Sequence, residues 1–202
     1  MNTEPFLINK DDVTQVAGIF YKCYRDYPLW KYLIPKDEDF DKSHSLWRSQ
    51  ILYGVKFGYV FTSSKNFEGV LVMVHSKYAI VPVLKEIQCG GLRIIKDLGL
   101  KFAKNSKNIT KILDDNRLKL FGKNDYWYVF YVAVLPTEQH KGNGKAMMEF
   151  AYELTKDSGL PYCLETAKEI NVTIYQNMGF QVKNHCLLGD SGVHSWLMVR
   201  DN

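Results

Sequence analysis

The chain has 202 residues, 46% of them hydrophobic and 14% aromatic, with a formal net charge of +4 at pH 7. That supplies one core of ordinary size, since domains run to roughly 100–200 residues, and the charge by itself implies no polyanionic partner. The four cysteines, Cys23, Cys89, Cys163 and Cys186, form no Cys-x-x-Cys pair, which argues against a structural zinc site or a disulfide framework.

Met1 to Pro5 show neither the basic region nor the apolar core of a secretion signal. No apolar run approaches the ~18 residues of a membrane helix. The expectation is one domain over residues 1–202, reduced and cytoplasmic, with no membrane partner. In chain order, Phe6-Leu7-Ile8 predicts a short strand, and Asn9 to Asp12 offer N-cap chemistry to a helix carrying Val13, Val16, Ala17, Phe20 and Tyr21. That helix should end before Pro28. Asp26 to Tyr32 reads as an aromatic loop, with Tyr27 and Trp30 as candidates to line a substrate pocket.

A second helix is expected over 40–53, with Phe40, Leu46, Trp47 and Ile51 inward. Tyr59–Thr62 and Gly69–His75 read as paired, largely buried strands joined by the turn residues Ser63 to Asn66. From Ala79 to Phe121 the pattern is helical but broken. Pro82 suits a helix start, Gly90-Gly91 interrupts the period, and Asn105 to Asn108 separates a last helix built on Ile109, Ile112, Leu113 and Leu120. This insertion is longer than a connection needs. A flap over a site and extra packing at the sheet edge are equal readings of it. Between Ser76 and Lys123 stand eleven Lys/Arg against four Asp/Glu, a basic segment able to steer polyanions or simply to solvate helix faces.

Tyr126 to Leu135 is an unbroken apolar run, as in a strand buried on both faces. Pro136 stops it. Gln139-His140-Lys141-Gly142-Asn143-Gly144-Lys145 then opens a helix whose inward stripe is Ala146, Met147, Phe150, Ala151 and Leu154, closing at Gly159. A glycine-bearing loop at a helix N-terminus suits an anion, because unpaired N–H groups and the helix dipole face it. A P-loop would need glycine at 139 and Ser or Thr at 146, where the chain has Gln139 and Ala146. A dinucleotide fingerprint would need a third glycine at Met147, although Glu165 falls near the spacing of a ribose-binding acid. Tyr162–Thr166 then predicts a strand, followed by a helix ending in Tyr175-Gln176-Asn177-Met178-Gly179-Phe180 and closing strands over 180–187 and 194–199.

Gln139-x-x-Gly142-x-Gly144 after a strand ending Val132-x-Val134-x-Pro136 resembles the pyrophosphate loop of the GCN5-related N-acetyltransferase (GNAT) superfamily. The Tyr175-x-x-x-Gly179-Phe180 motif follows at the order and distance that superfamily shows. The resemblance is specific over 126–182 and architectural elsewhere. The Tyr27-Pro28-Leu29-Trp30 and Leu164-Glu165-Thr166 stretches are similar to small-molecule acetyltransferases of the puromycin-acetyltransferase kind.

The resemblance implies an α/β (α+β) fold with a central mixed, twisted sheet of six to seven strands, helices on both faces and a helical insertion before the cofactor-binding strand. It implies an acyltransferase that moves an acetyl group from acetyl-CoA to a primary amine, without a metal. Val132 and Val134 would meet the pantetheine arm and thioester. Gln139, His140, Lys141, Gly142, Asn143, Gly144 and Lys145 would hold the pyrophosphate, and Asn171, one helical turn before Tyr175 and on the same face, would touch the cofactor. Tyr175 would act as general acid and Glu165 as base, beside the alternative of a structural role for that glutamate. The implied acceptor is a small-molecule amine, ahead of a peptide or protein amine, for a monomer or homodimer; nucleic acid is not expected. The competing reading is a non-catalytic acyl-CoA sensor or nucleic-acid-associated module on the same fold.

Overall fold

In the computed structural model, which describes residues 5–202, the chain begins with β1 (Phe6–Leu7), α1 (Val13–Tyr24), α2 (Pro28–Leu33), α3 (Asp37–Phe40) and α4 (His44–Phe57). It continues through β2 (Gly58–Thr62), β3 (Gly69–His75), α5 (Val83–Gln88), α6 (Gly91–Phe121) and β4 (Trp127–Val134). It ends with α7 (Asn143–Thr155), β5 (Tyr162–Thr166), α8 (Glu169–Gln176), β6 (Gln181–Leu187) and β7 (His194–Arg200). The expectation of no leader at Met1 to Glu4 lies outside the described residues.

The strands form one seven-stranded sheet in the order β1-β2-β3-β4-β5-β7-β6. Every neighbouring pair is antiparallel except β4 with β5. A parallel pair needs a crossover connection, and α7 is that crossover. Helices cover both faces. On one, Val16, Phe20, Trp47, Ile51, Ile94, Phe102 and Ile109 from α1, α4 and α6 pack against Val60, Val72 and Ala133. On the other, Met147, Met148 and Ala151 of α7 pack with Phe61, Leu71, Leu164 and Phe180.

Several local expectations change. The aromatic stretch at 26–32 is not a loop. Pro28 occupies the first helical position, where its missing N–H costs nothing, so the chain turns into α2. Trp30 is buried edge-to-face on Trp47, ring centroids 4.7 Å apart, as a core residue and not a pocket wall. The helix foreseen over 40–53 is two helices parted at Asp41 to Ser43, and α4 then runs on to Phe57. Gly54 permits that extension, because a Cβ there would sit 2.6 Å from Val72 Cγ1 of the sheet beneath.

In the insertion, Asn105 to Asn108 stay helical and the break falls at Gly99, with φ 81° and ψ 170°. Polar residues cost a helix only tenths of a kcal/mol each, and buried Phe102 and Ile109 anchor both sides of that tetrapeptide. Leu120 and Leu154, both expected inward, are exposed. On α7 the buried stripe includes Met148 and Tyr152 in place of Leu154.

Candidate active site

The site is organised by a parting of strands. β4 pairs with β5 only through Trp127, Tyr128 and Val129, opposite Tyr162, Cys163 and Leu164. The next residue, Phe130, is skipped in the β3–β4 register, where Tyr131 faces Val72 and Val129 faces Met73. A bulge of this kind bends its strand. Beyond it Tyr131, Val132 and Val134 are only partly covered, so the run expected to be buried throughout opens into a cleft.

Backbone direction follows from one bond. The Leu135 N–H donates to Glu68 O at 2.8 Å, toward the β3 side. Backbone groups alternate along a strand, so Val134 and Val132 turn theirs toward the cleft. The Val132 carbonyl there accepts from the Tyr24 hydroxyl at 3.1 Å.

Past Pro136 the chain reaches α7 through two residues in left-handed backbone, His140 (φ 63°) and Gly142 (φ 85°). Gly142 is the α7 N-cap and accepts from the Ala146 N–H at 2.9 Å. The N–H groups of Asn143, Gly144 and Lys145 lie in the first turn, where a helix offers no acceptor. Two side chains brace the loop from behind: Gln139 Nε2 donates to Val134 O at 3.2 Å, and Asn143 Nδ2 to Glu138 O at 3.1 Å. Lys141 pairs with Glu138 at 3.0 Å and Lys145 with Glu149 at 3.6 Å, all at the surface. A cavity of about 190 Å³ adjoins the loop between α7 and the end of α8, lined by Lys145, Tyr152, Met178 and Arg200 among others.

The cleft's other wall is built by tyrosines. The Tyr27 hydroxyl accepts from the Ala167 N–H at 2.7 Å and shares a 3.2 Å bond with Thr166 Oγ1, pinning the turn from β5 into α8. Asn171 donates to the same Thr166 Oγ1 at 3.1 Å, so its amide braces this turn. Tyr175 packs its ring on Phe180 at 5.7 Å. Its O carbonyl takes N–H bonds from both Met178 and Phe180, with Gly179 (φ 88°) closing the helix. Burial pushes the phenols of Tyr24, Tyr27 and Tyr175 above their ordinary value, and Tyr27 lies close enough to raise both Tyr24 and Tyr175 further.

Glu165, on β5, is held by an arginine of the insertion. Its Oε1 accepts from Arg117 Nη1 of α6 at 2.6 Å, and its buried Oε2 has no partner among the described residues. Arg117 also bonds Asp114 and lies over the Tyr128 ring at 4.2 Å. Desolvation by burial raises the Asp114 carboxyl to about 6 against the pull of Arg117. Among the described residues no group of three or more His, Cys, Asp or Glu is placed to hold a metal.

The structure thus gathers Val132, Val134, the 139–145 loop and Tyr175 around one cleft, fixes Asn171 at its edge and leaves Trp30 outside it. Sequence reasoning missed Tyr24, Arg117 and Arg200. Tyr24 had a signal, as the residue one turn before Tyr27 on the same side of a short connection. Arg117 and Arg200 had none that set them apart from other cations.

The acetyltransferase (GNAT) domain family matches residues 107–182. An uncharacterized N-acetyltransferase of Schizosaccharomyces pombe is 34% identical over 71 residues, a stretch that spans 34% of this chain and 29% of that protein. Among solved structures, a Corynebacterium glutamicum protein described as histone acetyltransferase HPA2 and related acetyltransferase superposes with a TM-score of 0.66 at 16% identity, covering 100% of this chain and 97% of that one. Arylalkylamine N-acetyltransferase 2 of Aedes aegypti gives 0.64 at 17% identity over 98% of each chain. A Drosophila melanogaster polyamine N-acetyltransferase gives 0.61 at 15% identity, covering 98% of this chain and 100% of that one. At such identities the structural likeness speaks for the fold. The chain therefore carries a match to the acetyltransferase (GNAT) domain over residues 107–182, within a fold similar to that of these acetyltransferase structures.

Proposed function

We propose that the protein is an N-acetyltransferase that moves an acetyl group from acetyl-CoA to a primary amine, by direct attack with both substrates bound. The observation that carries this reading is the parting of β4 from β5. It leaves the Val132 and Val134 backbone facing a cleft with a glycine-bearing helix N-terminus at one end. The residues fit the group: first-turn N–H donors, no Cβ at Gly142 or Gly144, and Lys141, Lys145 and Arg200 nearby. Acetyl-CoA would supply an acyl group already joined to a thiol leaving group.

The chain's own residues then have distinct work. The 139–145 amides bind the diphosphate, helped by the helix dipole. The Val134 N–H donates to the carbonyl oxygen as negative charge grows there, a contribution typically ~2.7–4 kcal/mol. Tyr175, kept protonated by burial, holds a proton for the departing sulfur. An amine of pKa ~10.4 must first lose a proton, which costs about 4–5 kcal/mol at pH 7. Glu165 is the carboxylate on β5 beside the cleft, and its unpartnered Oε2 takes that proton through water.

For the acceptor, the names of relatives that act on arylalkylamines and polyamines support a small-molecule amine ahead of a peptide or protein amine. The test is release of free CoA thiol from acetyl-CoA across arylalkylamines, polyamines and peptide N-termini. Release with a small amine is expected. Tight acetyl-CoA binding with no release for any acceptor would replace the enzyme with a sensor.

A further inference from the structure

The insertion presents apolar side chains that nothing among the described residues covers. Helix α5 buries no side chain. Val83 and Leu84 on it are 67% and 74% exposed, and Leu92 and Leu100 on α6 are 64% and 77% exposed. Large apolar patches on a soluble fold mark an interaction site. Along α6 with Leu92 and Leu100 stand Lys96, Lys101, Lys104 and Lys107, all exposed and without an ion pair among the described residues. They belong to the segment with eleven cations against four acids, while the rest of the chain is net negative.

The charge decides the occupant. A second copy meeting this face about a two-fold axis would set lysines against lysines. A nucleic acid would find cations but also four exposed aliphatic side chains, where stacking on bases calls for aromatic rings. An anionic bilayer satisfies both features. Aliphatic side chains enter the boundary of headgroups and acyl chains, while lysines meet the phosphates. We propose that the α5–α6 surface docks this protein on anionic phospholipid membranes. The contact is peripheral, since no helix among the described residues is long and apolar enough to cross a membrane. It replaces the expectation of no membrane partner and is independent of the acetyl-transfer reading.

The experiment is flotation of the full chain with vesicles of phosphatidylcholine alone and of phosphatidylcholine with phosphatidylserine. Binding is expected only to the anionic vesicles, weakening as salt is added. The double variant Lys101→Glu, Lys104→Glu should bind roughly tenfold or more weakly. Leu84→Asp with Leu92→Asp should abolish flotation at unchanged circular dichroism, because both sites are exposed. Equal flotation with both vesicles, or none, overturns the proposal. So does binding to RNA or duplex DNA without flotation, or a dimer that Leu84→Asp with Leu92→Asp dissolves while neither protein floats.

Discussion

Arg117 is 3% exposed between Asp114 of its own helix and Glu165 of β5, under the face of Tyr128. Two carboxylates share one guanidinium there, and removing it leaves both buried without a counter-charge. Breaking a buried pair from one side typically costs about 3–5 kcal/mol. Arg117→Met should therefore lower unfolding free energy by about that amount in urea titrations; a change below about 1 kcal/mol would show that water already screens the cluster. Tyr175 makes a different kind of prediction. A thiol of pKa ~8.5 leaves readily, so Tyr175→Phe should cut turnover at saturating acetyl-CoA by about 10²-fold, the lower end for acid–base groups. Unchanged turnover would remove the acid role. Tyr175 stands out in the sequence because a motif contains it, and Glu165 because it is the acid of the strand that precedes that motif. Arg117 does not, since it is one of 26 Lys/Arg and only the approach of α6 to β5 distinguishes it.

At the scale of elements, the 139–145 loop works through backbone shape. Gly142 takes φ 85°, and a Cβ there would meet no protein atom within 4 Å. A side chain is therefore excluded by conformation, at about 1–3 kcal/mol for a residue held in such a region. Gly142→Val should leave the core intact and abolish acetyl-CoA binding measured by calorimetry. Retained affinity would mean that the loop does not hold the diphosphate. The loop and its helix were legible because glycine, proline and apolar period mark them directly. The break in α6 was misplaced because Asn105 to Asn108 look like a linker, while single Gly99 looks tolerable in a helix. Packing of Phe102 and Ile109 on the core overrides the first signal, and a positive φ realises the second.

For the molecule as a whole, the buried cluster ties stability to pH. The folded value of Asp114, about 6, lies above its value in an unfolded chain, so folding favours the protonated acid. Its contribution to stability is complete below about pH 4 and is lost as pH rises through about 6. Asp114→Asn keeps an acceptor for Arg117 and removes the charge. The variant should match the wild type near pH 4 and exceed it by on the order of 2 kcal/mol near pH 7, read from chemical unfolding at both values. A constant difference across that range would place the titration elsewhere. Asp97, held below the usual range by its bond to Arg93, runs in the opposite direction, so the wild-type profile alone does not isolate the effect.

The sequence by itself determined the order of the strands, most of the helices, the glycine-bearing loop and the Tyr175 motif, because each is written in neighbouring residues through period, turn chemistry and capping. It also supplied the mixed sheet with helices on both faces, through its resemblance to a family. Only the tertiary structure decided that β4 leaves β5 after Val129, that Trp30 belongs to the core, and that Glu165 answers to Arg117, 48 positions away. Those outcomes depend on which distant side chains share a desolvated space, and the energy of a buried ring or charge is set by those neighbours rather than by the residues beside it in the chain.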